Sequence, residues 1–215
     1  LDVRRPIYRK TAAFGYFATL AKSATVIIYD RSGYGGSGIA QGPRDAAGAE
    51  QELSRLLEET GIPGPYVLAG WSLGGLFAEY YAAKHPDQIA GLILEESRPA
   101  DFGRRCENAG LSACTPLPSM VKNAVQGVQD EVLALPATQA QVEVAGAVKD
   151  RAVLVLSRPV GGRPFDAVWA AAQRDLAARY PGSRHLVAIG GGHDIHNDQE
   201  AWYVEAVQDF LRQLS

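Results

Sequence analysis

Tyr66-Val67-Leu68-Ala69-Gly70-Trp71-Ser72-Leu73-Gly74-Gly75 is the stretch on which the reading of this chain turns. Tyr66–Ala69 is a short apolar run of the kind that forms a strand, and a helical pattern begins near Leu73. Between them, G-x-S-x-G occupies a strand, tight turn, helix context. So sharp a turn strains the backbone at its centre, and a side chain at Gly70 or Gly74 is expected to collide with its neighbours. The turn presents the Ser72 hydroxyl at the strand tip with a helix N-terminus behind it. The Leu73 N–H then points where an oxyanion would form. The competing reading is an incidental serine on a Gly-rich turn, and the flanking strand and helix favour the nucleophile.

Outward from this turn, apolar runs alternate with helical patterns. Ala24–Tyr29, Ile89–Leu94, Ala152–Leu156 and His185–Ile189 join Tyr66–Ala69 as predicted strands. Apolar on consecutive positions, they read as strands buried on both faces of a parallel sheet. Asp45–Thr60, Leu73–Lys84, Asp166–Tyr180 and Ala201–Leu214 read as helices. Leu53, Leu56 and Leu57 stripe the first, and Gly61 then Pro63 stop it. The alternation predicts an α/β fold, a mostly parallel sheet with helices on both faces. Ser97 to Lys149 breaks the rhythm with Pro99, Pro116, Pro118 and Pro136, and only short helical candidates such as Met120–Leu135. It reads as an insertion over one sheet edge. The expected partition is a core of residues 1–97 and 150–215, with 98–149 inserted.

The 215 residues carry 21 Lys+Arg against 24 Asp+Glu, a net charge of −3, and 47% are hydrophobic. That composition excludes a disordered or fibrous chain. The acidic balance, without a long basic run, argues against nucleic acid. No apolar run approaches the ~20 residues of a membrane-spanning helix. Leu1–Lys10 is Arg-rich and lacks the apolar stretch of a signal peptide. A cytoplasmic protein with Cys106 and Cys114 as free thiols is the expectation.

A serine nucleophile needs a base. Among the four histidines, His85 ends the helix after Ser72 and reads as a surface C-cap, and His185 opens a strand. His193 follows the last strand through Gly190-Gly191-Gly192, on the carboxyl edge of the sheet where open α/β sheets place their sites. It is preferred over His196, which reads as the start of the final helix. For the acid that orients the imidazole, Glu96 at the tip of its strand competes with Asp166. Asp166 is separated from its strand by nine residues and stands at a helix start where capping explains it. Glu96 is preferred, and its neighbour Glu95 is expected to point to the opposite side of the strand. Gly33-Tyr34-Gly35-Gly36-Ser37-Gly38 is a literal G-x-G-x-x-G, but no helix opens on its glycines and no strand-terminal acid follows about 20 residues on. A dinucleotide site is therefore not expected.

Three motifs together resemble the α/β-hydrolase superfamily over nearly the whole chain: Asp30-Arg31-Ser32-Gly33-Tyr34-Gly35-Gly36-Ser37, Gly70-Trp71-Ser72-Leu73-Gly74-Gly75 and Gly192-His193-Asp194-Ile195-His196. The first is similar to the family's D-R-x-G-x-G-x-S segment, the second to its nucleophile elbow, the third to its histidine loop. The resemblance implies a Ser72, acid, His193 triad, with the insertion as a cap. The family's usual acid position favours Asp166, and a variant position favours Glu96. It also implies that the family's first strands and its H-G oxyanion loop are lacking here, which would remove one oxyanion donor and expose a sheet edge.

The expected function is hydrolysis of a small carboxylic ester without metal or organic cofactor. A serine here argues against dehalogenase chemistry, for which this family uses Asp. Two alternatives stand beside it. One is an aminopeptidase-like amide hydrolase with an acidic anchor such as Glu107, Asp130 or Glu131. The other is a non-catalytic or incomplete relative.

Overall fold

The computed structural model describes residues 15–39, 41–112 and 114–214; Leu1–Lys10, read above for a signal peptide, lies outside them. In chain order the elements are α1 (Gly15–Leu20), α2 (Ala46–Thr60), β1 (Tyr66–Trp71), α3 (Leu73–Lys84), β2 (Ile89–Glu95), α4 (Phe102–Asn108), α5 (Gln126–Leu133), α6 (Leu135–Ala145), β3 (Ala152–Ser157), α7 (Pro164–Ala178), β4 (Arg184–Val187), α8 (Ile195–Asp198) and α9 (Glu200–Gln213).

Among the described residues the strands form one parallel sheet in the order β1-β2-β3-β4. Consecutive strand residues feed opposite faces. Leu92, Leu94, Val153 and Val155 pack with Leu57 of α2, Tyr81 of α3 and Leu176 of α7. Ile93, Leu154 and Leu156 pack on the other face with Tyr16 and Leu20 of α1 and Val207 and Phe210 of α9. This is the predicted α/β layering, and it explains why the strands read as unbroken apolar runs.

The predicted strand Ala24–Tyr29 is a correction: it joins no ladder. Val26 and Ile27 still pack on opposite core clusters, while Ile28 is 51% exposed. A β-branched run specifies extended backbone and alternating contacts, but pairing needs a neighbouring strand, and β1 pairs with β2. Helix α2 begins and ends where the sequence indicates. Asp45 accepts the Gly48 N–H at 2.9 Å, and Gly61 closes the helix at φ 63°.

Between β2 and β3 lie α4, α5 and α6, with a 3-10 turn at Pro118–Met120. Helix α6 packs on α2 and α3, and α4 packs on α7. The predicted helix Met120–Leu135 is shortened to α5. Helices α4 and α6 lie outside the helical patterns named from the sequence: α4 carries only Phe102 and Cys106 into the core, and α6 opens beside Pro136, where the sequence reads as an interruption. A second correction concerns the cysteines. Cys106 and Cys114 form a disulfide that closes the end of α4 onto the following loop; their spacing of 8 allowed this.

The D-R-x-G-x-G-x-S segment ties the core to α5. Asp30 accepts the Gly36 N–H at 2.9 Å. Arg31 forks onto Glu131 at 2.8 and 2.9 Å, Tyr34 O–H donates to the same carboxylate at 2.5 Å, and Arg44 Nη2 donates to it at 3.3 Å. The Arg31 pairing raises that guanidinium's pKa against its burial, which acts to lower it.

Candidate active site

Strands β1 and β2 end side by side, with Trp71 opposite Glu95. Each is followed by a non-glycine residue in left-handed backbone, Ser72 at φ 53° and Glu96 at φ 42°. Such conformations are costly for residues with a Cβ and concentrate at functional sites. Hydrogen bonds hold both turns. Ser72 N–H donates to Glu95 C=O at 3.0 Å, Glu96 N–H to Leu156 C=O at 2.7 Å, and Arg98 N–H to Ser72 C=O at 3.0 Å.

The glycines divide differently from expectation. A Cβ on Gly70 would stand 2.6 Å from Gly74 O and 2.7 Å from the Gly75 Cα, as anticipated. A Cβ on Gly74 meets nothing within 4 Å, so that expectation is corrected. The tight position is Gly75, whose added Cβ would strike the Ser97 side chain. Sequence shows the turn but not what β2 sends across it.

His193 Nε2 lies 3.0 Å from Ser72 Oγ, and its Nδ1 lies 3.2 Å from Glu96 Oε2. Glu96 is fully buried, whereas the His193 side chain is 44% exposed. The histidine loop is fixed by backbone and side-chain bonds. Gly190 turns at φ 83°, Gly191 N–H donates to Ala188 C=O at 2.9 Å, and Gly192 N–H donates to Asp198 Oδ2 at 2.8 Å. Trp71 Nε1–H donates to the His193 carbonyl at 2.8 Å. Leu73 is the first residue of α3, so its N–H lacks an intrahelical acceptor. The arrangement can pass a proton from serine to imidazole, with a buried carboxylate behind the ring.

Asp166 is engaged elsewhere. It accepts from Arg163 N–H and Nε at 3.1 Å and from Arg163 Nη2 at 3.0 Å, and it pairs with Arg158 Nη2 at 3.2 Å. Arg163 holds its carboxyl down to about 2. It sits in the first turn of α7, close to the capping role read for it, though the helix starts at Pro164.

The remaining histidines are likewise partnered. Glu95 Oε1 takes His196 N–H at 2.9 Å and faces His196 Nδ1 at 2.8 Å. Burial acts to lower the His196 pKa, but the Glu95 carboxylate wins and raises it. Adjacent acids at the end of β2 thus hold two histidines three residues apart, Glu95 pointing to the opposite side from Glu96 as strand alternation required. His185 Nε2 bonds Ser157 Oγ at 2.8 Å, and burial lowers its pKa. His85 C-caps α3 and pairs with Glu50 at 2.6 Å. Among the described residues, no group of three or more His, Cys, Asp or Glu side chains is placed to hold a metal ion. No helix of the described residues is long and apolar enough to cross a membrane.

The family model of the alpha/beta hydrolase fold matches residues 13–215, and the chain belongs to that family. Its relatives include a (lyso)-N-acylphosphatidylethanolamine lipase of Bos taurus, 38% identical over 92 residues, 39% of this chain and 27% of the lipase. A putative carbamate hydrolase, RutD, of Azorhizobium caulinodans is 33% identical over 89 residues, 40% of this chain and 33% of that protein. These matches span about a quarter to a third of the relatives' length. Among solved structures, the esterase RhEst1 from Rhodococcus sp. aligns with a TM-score of 0.64 at 21% identity, covering 95% of this chain and 86% of that one. NosK from Streptomyces actuosus aligns with a TM-score of 0.61 at 24% identity, covering 94% and 93%. These likenesses establish the fold.

Proposed function

We propose that this chain is a hydrolase and that it cleaves a small carboxylic ester through a Ser72–His193–Glu96 triad and an acyl-enzyme. The observation that carries the reading is the continuous series from Ser72 Oγ through both ring nitrogens of His193 to Glu96, at 3.0 and 3.2 Å. His193 takes the hydroxyl proton as Ser72 attacks the carbonyl carbon. Glu96 stabilises the imidazolium, and Leu73 N–H faces the developing oxyanion. His193 then returns its proton to the leaving alcohol and activates the water that releases the acid. Residues 1–97 and 150–215 form the catalytic core on this reading, and 98–149 form a cap that shapes the substrate pocket. Of the three anchors considered for a substrate amine, Glu131 is already occupied by Arg31, Arg44 and Tyr34.

Fluorophosphonate labelling of the 215-residue chain, followed by mass-spectrometric location of the adduct, tests the proposal. Modification at Ser72 is expected, with neither labelling nor ester hydrolysis in Ser72→Ala at unchanged far-UV circular dichroism. Hydrolysis retained by Ser72→Ala would overturn it.

A further inference from the structure

The two carboxylates that compete for one role in the sequence, Glu96 and Asp166, meet neighbouring nitrogens of the same guanidinium. Arg158 directly follows β3. Its backbone N–H donates to Glu96 Oε1 at 2.9 Å and its Nε to Glu96 Oε2 at 3.0 Å. Oε2 is also the oxygen that faces His193 Nδ1. The far end of the side chain, Nη2, lies 3.2 Å from Asp166 Oδ1. All three groups are shielded, with side-chain exposures of 16% for Arg158, 0% for Glu96 and 4% for Asp166.

A guanidinium against such an acid has two opposed effects. With the Arg158 backbone N–H already on Oε1, the guanidinium bond to Oε2 fixes the carboxylate plane, and with it the aim of Oε2 at the imidazole. An unshared cation would also cancel the negative charge that stabilises the imidazolium. A second carboxylate on the same guanidinium relieves that cancellation, and Asp166, at Nη2, occupies that place. Asp166 is held in turn by Arg163, and Gly161 packs so closely against it that an added Cβ would strike the carboxylate.

We infer, resting on the triad proposed above, that Arg158 is a positioning residue for Glu96 and that Asp166 acts through Arg158 as its counter-charge. The merely structural reading, a stitch between the end of β3 and the start of α7, predicts lost stability without a selective loss of turnover.

The test compares wild type, Arg158→Met, Arg158→Lys, Asp166→Asn and the Arg158→Met/Asp166→Asn double variant. The readouts are kcat and KM on p-nitrophenyl acetate, the rate of fluorophosphonate labelling at Ser72, and thermal melting. Arg158→Met is expected to lower kcat and the labelling rate together by roughly ten- to a hundredfold, with KM within about twofold of wild type. Arg158→Lys, which keeps a cation but loses the fork, should recover part of that loss. It also supplies the comparison if the methionine variant does not fold. Asp166→Asn should lower kcat several-fold in the wild-type background and add nothing in the Arg158→Met background. Wild-type kcat in the Arg158 variants, or losses that multiply in the double variant, would overturn the inference. If wild type is active and only these expectations fail, the inference alone falls. If wild type neither labels nor turns over, the triad proposal has failed and takes the inference with it.

Discussion

Arg98 N–H donates to the Ser72 carbonyl at 3.0 Å, so the turn after β2 is fastened to the turn after β1. The return bond, Ser72 N–H to Glu95 C=O, closes the same junction. Ser72, at φ 53°, is therefore bonded to the residues on either side of the Glu96 turn, Glu95 and Arg98, while Glu96, at φ 42°, is tied to Leu156 of β3. A proposed nucleophile and its acid are set by the ends of two adjacent strands that pair with each other, where a site is held rigidly. The base comes from a loop and needs separate anchors. Trp71, Asp198 and Glu95 supply them.

That arrangement ranks the two acids. Glu96→Gln is expected to lower kcat by about 10³–10⁴, because an amide cannot stabilise the imidazolium and favours the wrong tautomer. Asp166→Asn should cost far less, since its carboxylate bonds arginines. Steady-state kinetics of both variants on one ester checks this, and the reverse ranking would assign the triad acid to Asp166.

Much of this was legible before the structure. Ser72, His193 and the preference for Glu96 followed from strand tips and loop lengths, because a parallel sheet gathers the carboxyl ends of its strands on one edge. The central strands β2 and β3 were legible because burial on both faces leaves an unbroken apolar signature, while β1 and β4, at the two sides of the sheet, are only partly buried. What escaped the sequence depends on partners distant in the chain. Arg158 reads as an ordinary loop arginine until the fold places Glu96 and Asp166 on either side of it. The clash at Gly75 is invisible without Ser97. Ala24–Tyr29 has strand chemistry but no ladder, and pairing is a property of two segments. The disulfide needed the turn after α4 to bring two cysteines together.

The elbow glycines separate local from tertiary constraint. Gly75→Ala is expected to destabilise the fold by about 1–3 kcal/mol through overpacking against Ser97. Gly74→Ala lies in the first turn of α3 with open space around the new methyl. It should stabilise by about 0.5–1 kcal/mol through helix propensity. Urea denaturation of the two variants measures both, and equal destabilisation would show that the turn backbone, not Ser97, sets the requirement.

The Cys106–Cys114 bridge closes a short loop whose Cys114 carbonyl accepts from Arg98 Nη1 at 2.9 Å. Loop-closure entropy for a separation of 8 residues gives about 2–3 kcal/mol of stabilisation. Dithiothreitol should lower the urea midpoint accordingly, and iodoacetamide should alkylate neither cysteine of the denatured, unreduced chain. Two alkylated thiols without reductant would return the cysteines to the free state expected from sequence.

Asp166 also makes a prediction about acid stability. Arg163, with Arg158 beside it, lowers its carboxyl from 3.8 to about 2 in the folded protein. A carboxylate depressed by folding contributes stability that is fully present above its unfolded value and is lost as pH falls through the folded one. The difference in melting temperature between wild type and Asp166→Asn should therefore be constant from about pH 7 to pH 5, shrink below about pH 4, be mostly lost by about pH 2 and vanish only below it. Comparing the two proteins cancels the other carboxylates that titrate in the same window. A difference that persists undiminished to about pH 2 would mean that Asp166 stabilises the chain through its neutral capping bond to the Arg163 N–H, not through its charge.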